Sequence, residues 1–189
     1  MRGDTAVDEA SGTLIRFAER PVTAWANGQG ETVVLWRTPA EGDPDVRLSI
    51  ATVSRSGPFS SLPGIDRMLM PLAEPGLTLR IGDSSRHVAQ YDAVAFAGED
   101  EVASVEVTQP GFDLNLMVRR GVGVPRLAAV RVDGSVRVDL PGLVAVIALA
   151  GDVHRAGQHL AFGDTVLAGA GSGAVTLTGD GRVAVASLG

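Results

Sequence analysis

The chain has 189 residues, 45% hydrophobic and 20% charged, with a net charge of −6, which suits one globular domain or two small ones closely fused. It contains no cysteine and all sixteen basic residues are arginine, so disulfides, thiolate nucleophiles, Schiff-base chemistry and a P-loop lysine are excluded. A mildly acidic chain is a poor match for nucleic acid or an anionic membrane, and its longest apolar run, Leu143–Ala150, is far short of the roughly 20 residues a spanning helix needs.

Residues 1–12 read as a loosely ordered leader without the apolar segment of a secretory signal. Thr13–Ala18 reads as a short strand. The stretch TAWANGQGET, Thr23–Thr32, holds two glycines and raises the question of a phosphate loop. Such loops open a helix, whose free N–H groups meet the anion. Here β-branched residues follow at once, so Asn27-Gly28 reads as the apex of a hairpin and Thr32–Thr38 as the next strand. Trp25 and Trp36 read as packing residues.

Val46–Val53 alternates, with Leu48 and Ile50 on one face and Arg47 and Ser49 on the other. Ser56–Gly64 is rich in turn residues. Strands are expected at Asp66–Ala73, Leu77–Gly82, Asp92–Gly98, Ala103–Thr108 and Asp113–Arg120. The C-terminal third continues with Arg126–Val132, Ser135–Leu140, Leu143–Ala150, Asp164–Gly169, Ala174–Gly179 and Val183–Leu188. Ser60–Met68 and Arg119–Leu127 are the places that accommodate a short helix. Many short strands joined by Gly/Pro turns imply an all-β sandwich or barrel.

The chain also echoes itself. Arg86–Phe96 (RHVAQYDAVAF) and Gln158–Ala168 (QHLAFGDTVLA) match at His87/His159, Ala89/Ala161, Asp92/Asp164 and Val94/Val166. Two similar β-barrels explain the echo, the first spanning 13–122 and the second 123–189, with a strand of one able to complete the other.

Chemistry-bearing residues are sparse. The three histidines, His87, His154 and His159, form no His-x-His pair. His154 and His159 stand five apart, which within one strand sends them to opposite faces, and His87 and His159 read as turn residues. Glu99-Asp100-Glu101 reads as a solvated turn, and no nucleophile elbow is present. What remains is a polar set in apolar surroundings: Trp25, Asn27, Gly28, Arg47, Ser49, Ser60, Asp66, Arg67 and Asn115. Asn115 shares its strand face with Asp113 and Met117. An arginine that binds a carboxylate through two nitrogens, completed by amide and hydroxyl groups, is the recognition such a set can build. An Asp66-Arg67 pair serving as loop scaffold is the competing reading.

Three blocks occur in order: W-x-N-G-x-G-x-T from Trp25, RLSIATVSRSGPFSSLPGIDRMLMPL from Arg47, and DLNLMVRRG from Asp113. Together they resemble the HutD/Ves family over about Leu14–Leu188. Gln29 departs from it, standing where the family carries a glycine. The resemblance implies a bicupin and a non-catalytic modulator of histidine utilisation that binds a urocanate- or formylglutamate-like carboxylate in the cytoplasm. It implies no cofactor and no metal. The expected partners are a small anionic metabolite and, at most, a second copy in a homodimer, with no nucleic acid and no membrane. The alternatives are a stress-associated protein-interaction module and a metal-independent cupin enzyme.

Overall fold

The computed structural model describes residues 12–25, 28, 30–168 and 174–189; the leader apart from Gly12 lies outside this set. Three antiparallel sheets make up the described residues. The first contains β2 (Val22–Ala24), β3 (Gly30–Thr38), β4 (Val46–Val53), β6 (Ile65–Pro71), β9 (Val94–Ala97) and β11 (Gly111–Arg119), in the order β2-β3-β4-β11-β6-β9. The second contains β5 (Gly57–Pro58), β7 (Leu77–Ile81), β8 (Ser84–Val88) and β10 (Val102–Val105), in the order β5-β10-β7-β8. The third contains β1 (Leu14–Ile15), β12 (Pro125–Asp139), β13 (Leu143–Arg155), β14 (Gln158–Leu160), β15 (Thr165–Leu167) and β16 (Ala174–Leu188). Its order is β1-β15-β13-β16-β12, with β14 on β13.

The chain is therefore all-β, and its sheets form two cupin-like halves. The first two sheets face each other across Leu69, Leu79, Val88, Val94, Phe96 and Val102. The third sheet encloses its own aliphatic core, which includes Val132, Val146, Leu160, Val166, Leu177 and Val185. A third cluster joins the halves: Leu48, Ile50, Leu114 and Leu116 from the first sheet pack with Leu127, Ile147, Leu149 and Ala184 from the third. Strand alternation makes this possible. Val146 and Ala148 face the inner core, while Ala145, Ile147 and Leu149 face the other half.

Several expected boundaries change. Neither candidate helix forms: residues 60–64 are loop and turn before β6, and 120–124 is a turn and loop between β11 and β12. A single 3-10 turn, Phe17–Glu19, is the only helical element among the described residues, and it cuts the expected Thr13–Ala18 strand to two residues. Arg126–Val132 and Ser135–Leu140 fuse into one strand, as do Ala174–Gly179 and Val183–Leu188. Gly134 and Gly179 are cross-strand partners with positive φ, 73° and 118°. They bend the ribbon where other residues would break it.

The internal echo is structural. β8-turn-β9 matches β14-turn-β15, and Asp92 N–H donates to Ala89 O at 3.1 Å as Asp164 N–H donates to Ala161 O at 3.0 Å. Asp164 adds a second role. Buried, it accepts from Arg16 Nη1 at 2.6 Å, Phe17 N–H at 2.9 Å and Ala161 N–H at 3.0 Å. Those bonds hold the N-terminal segment, whose β1 pairs with β15 of the third sheet. Asp164→Ala strips three donors of their acceptor. The expected loss is about 2–3 kcal/mol, a fall in Tm of roughly 5–10 °C at this chain length. Thermal unfolding of the variant checks it; an unchanged Tm would mean that the segment is held by its apolar contacts alone.

Candidate functional site

A cavity of about 580 Å³ opens between the first two sheets, within the range of small-molecule sites. Its floor is one face of the first sheet, laid out by register. Arg67 and Arg47 flank Met117 in one row. Ser49 and Val34 stand beside Asn115 in the next, and Ala51 and Thr32 beside Asp113 in the third. The loop after β5 supplies Phe59, Ser60 and Leu62 as the opposite wall. Hydrogen bonds fasten that loop: Leu62 N–H donates to Gly98 O and Gly98 N–H to Ile65 O, both at 2.7 Å.

Trp25 closes one side. Its Nε1–H donates to Thr32 Oγ1 at 2.8 Å. A Cβ on Gly30 would lie 2.2 Å from Thr52 O and 3.2 Å from the Trp25 ring, so only glycine lets the indole settle there. Gly28, by contrast, has open space around it and sits in the hairpin turn, its N–H donating to Trp25 O at 3.0 Å.

The electrostatics are unusual. Arg67 is only 6% exposed. Its guanidinium carbon lies 4.8 Å from the Phe96 ring centroid and 5.5 Å from that of Phe59, and its Nη1 donates to Ser60 O at 3.4 Å. Aromatic faces partly replace water around a cation. Burial nevertheless lowers its pKa to about 10, against the opposing pull of Asp113. Burial, then Arg37, also lowers that of Arg47, whose Nη2 reaches only Met117 Sδ at 3.1 Å. Among the described residues neither guanidinium has a carboxylate within 4.0 Å. Burial pushes the Asp113 carboxyl up to about 7, with the Asn115 amide and the Arg67 charge acting in the opposite direction. Asn115 Nδ2 donates to Asp113 Oδ2 at 2.5 Å. Arg47 Nε, Arg67 Nε, Asp113 Oδ1 and Asn115 Oδ1 are buried without a hydrogen-bond partner. Each such group ordinarily costs about 1–3 kcal/mol, so four on one cavity wall concentrate unused hydrogen-bonding capacity there.

Of the nine residues singled out in the sequence, Trp25, Arg47, Ser49, Ser60, Arg67 and Asn115 line the cavity. Asn27 lies outside the described residues. Gly28 does not reach the cavity. Asp66 points to the other face of β6, as period-two alternation requires of Arg67's neighbour. There Arg120 bonds Asp66 Oδ1 at 3.2 Å and Glu99 Oε1 at 2.8 Å, and holds the Glu99 carboxyl well below the usual range. Sequence reasoning did not single out Asp113, although its alternation with Asn115 and Met117 was visible.

The histidines lie outside the cavity. His87 stands in β8 and His159 in β14, in strands rather than turns. His154 and His159 do not diverge: a hairpin intervenes and makes them cross-strand partners, with ring centroids 5.4 Å apart. Among the described residues no group of three or more His, Asp or Glu side chains is placed to hold a metal ion. A cavity floored by two guanidinium groups is the wrong donor set for the metal that many cupin barrels carry. No helix among the described residues is long and apolar enough to cross a membrane.

Fold and cavity together define a bicupin-type protein with a cavity in its N-terminal half. The comparisons agree and go further. The HutD family model matches residues 17–186: the chain belongs to the HutD family. It is 36% identical over 102 residues to Protein Ves of Cronobacter sakazakii, covering 53% of this chain and 56% of that one. It is 38% identical over 93 residues to a 21.2 kDa protein in the hutC 3′ region of Pseudomonas putida, covering 48% and 49%. The chain thus spans about half the length of the curated relatives it matches. HutD from Pseudomonas fluorescens SBW25 superposes with a TM-score of 0.78 at 25% identity over 95% of this chain and 100% of that one. A cupin 2 conserved barrel domain protein from Leptotrichia buccalis superposes with a TM-score of 0.57 at 11% identity over 97% and 99%, a likeness of fold alone.

The Asp113 carboxyl gives the site a pH signature. Its pKa is about 7 in the folded chain against an ordinary 3.8. Between those values the native state holds a proton that the unfolded chain has lost, so its contribution falls as pH rises from about 4 to about 7. The full effect is at most about 4 kcal/mol. Asp113→Asn cannot ionise, so its stability relative to the parent is expected to grow between pH 5 and pH 8 in urea unfolding. Parallel stability at the two pH values would show that Asp113 titrates normally.

Proposed function

We propose that the protein is a non-catalytic binding protein for a small carboxylate metabolite, which it senses in the cytoplasm as a modulator of histidine utilisation. The observation that carries this reading is the pair of guanidinium groups facing the cavity, buried Arg67 and half-buried Arg47, neither with a carboxylate within 4.0 Å among the described residues. An anionic ligand supplies the missing counter-charge, and a planar carboxylate meets a guanidinium through two parallel bonds. Ser49 and Asn115 stand in the next row to complete the recognition, while Val34, Phe59, Leu62 and Met117 exclude water. The family's link to histidine utilisation rests on the hutC-region relative and on HutD itself, and it points to urocanate- or formylglutamate-like ligands. No histidine or lysine lines the cavity beside its serine and threonine hydroxyls, which favours binding over hydroxyl-based catalysis.

A thermal-shift panel of urocanate, formiminoglutamate, formylglutamate, histidine and glutamate, with and without EDTA, tests the reading. A ligand at a hundred times its Kd stabilises the native state by about 2.7 kcal/mol, roughly 5–10 °C in Tm. The shift is expected to be indifferent to EDTA and to disappear in Arg67→Met, which keeps the side-chain bulk and removes the charge; Arg47→Met provides a second variant should the first fold poorly. A flat panel for the parent protein, or a shift that survives both variants, would overturn the reading.

A further inference from the structure

The cavity has a second pole. Arg47 and Arg67 stand beside Met117, four residues along β11 from Asp113, a backbone separation of about 13 Å along the strand that the Arg67 side chain partly spans, since its charge acts on the Asp113 carboxyl; Asn115 lies midway. At the far end the unpartnered atoms change sign in hydrogen-bonding terms: Asp113 Oδ1 and Asn115 Oδ1 are acceptors, whereas Arg47 Nε and Arg67 Nε are donors. A simple carboxylate can complement only the arginine end. It would leave the acceptors unpartnered, and a site with unpaired buried acceptors rejects a ligand lacking the matching donor far more strongly than a hydrophobic pocket rejects a missing methylene.

We infer that Asp113, backed by Asn115, is a specificity-determining residue that selects carboxylates bearing an N–H donor, amide or imidazole, at the end opposite the carboxylate. The inference rests on the carboxylate reading above and adds what that reading leaves open, the chemistry of the ligand's other end. Asp113 is suited to the task. It is 3% exposed, its Oδ2 is already engaged by Asn115, and its Oδ1 is free. The other charged groups lining the cavity are Arg67 from β6 and Arg47 from β4; β2, β3 and the loop after β5 bring no titratable side chain to its lining. A bound N–H and a bound carboxylate therefore both act on a single titratable acid, and ligand uptake exchanges protons with the solvent near neutral pH.

Calorimetry on the full chain with matched ligands tests this. One pair is urocanate and 3-(furan-3-yl)acrylate, of the same shape without the N–H; the other is N-formylglutamate and glutarate. In at least one pair the N–H-bearing member is expected to bind ten-fold or more tightly than its partner, and Asp113→Leu is expected to reduce that ratio to within threefold. Asp113→Asn keeps an acceptor oxygen and is the variant expected to fold without difficulty. It should retain discrimination yet lose proton exchange, read with N-formylglutamate, which has no group of its own titrating near neutral pH, as the dependence of binding heat on buffer ionisation enthalpy at pH 7; a merely structural residue would not move that readout. Both pairs binding within threefold in the parent, discrimination surviving in Asp113→Leu, or proton exchange persisting in Asp113→Asn would each overturn the inference while leaving carboxylate binding intact. No binding by any of the four would overturn the carboxylate reading itself, and this inference with it.

Discussion

The N-terminal half is organised around a positive charge withdrawn from water, with no carboxylate among the described residues within ion-pair distance. Arg67 sits inside a barrel, between two phenylalanine rings, held by one long bond to a backbone carbonyl. Charges in such places are expensive unless paired. The surrounding structure accepts that expense in a consistent way. The loop that carries Phe59 and Ser60 is fastened at Gly98, Arg47 is aligned across Met117 from Arg67, and the nearest acid of the cavity is kept well above the usual carboxylate range. A packed barrel would have been more stable with aliphatic residues at these positions. Local departures from stability of this kind concentrate at functional sites.

The contrast between the halves supports that view. Both contain the same strand-turn-strand unit, recognisable in the matched turns at Asp92 and Asp164. In the second half Val146, Leu160, Val166, Leu177 and Val185 form an aliphatic interior. In the first, strand faces that would carry such residues carry Arg47, Ser49, Asp113 and Asn115 instead. The second half lends its outer surface as a support: Leu127, Ile147, Leu149 and Ala184 press against the back of the sheet that floors the cavity. A sheet backed by a rigid core holds its side chains in place better than loops do.

Much of this was legible in the sequence. Alternation identified most strands, turn residues separated them, and the echo between Arg86–Phe96 and Gln158–Ala168 corresponds to matching strand-turn-strand units. Six of the nine residues singled out line the cavity. The failures have physical causes. Asp66 was grouped with Arg67 by adjacency, although neighbours in a strand face opposite ways. The two C-terminal histidines were separated by a period-two argument that assumed one strand, when a hairpin at Ala156-Gly157 folds the second back onto the first. Asp113 escaped because its importance depends on burial, and burial of an acid is decided by the sheet opposite rather than by its own strand. Strands expected to end at Val132 and Gly179 continued because two glycines placed across from each other, Gly134 and Gly179, keep the ribbon paired.

Strand β11 carries a consequence of a different kind. Along it Asp113, Asn115 and Met117 serve the cavity, while Leu114, Leu116 and Val118 serve the seam between the halves. Both surfaces tolerate substitution in proportion to what each side chain does. Neither tolerates a change in chain length. One residue inserted or deleted within β11 exchanges the two sets, sending an acid and an amide into the seam and leucines into the cavity. Over evolutionary time this strand is free to change its letters but not its count, and homologous chains are expected to place their insertions and deletions in the turns on either side.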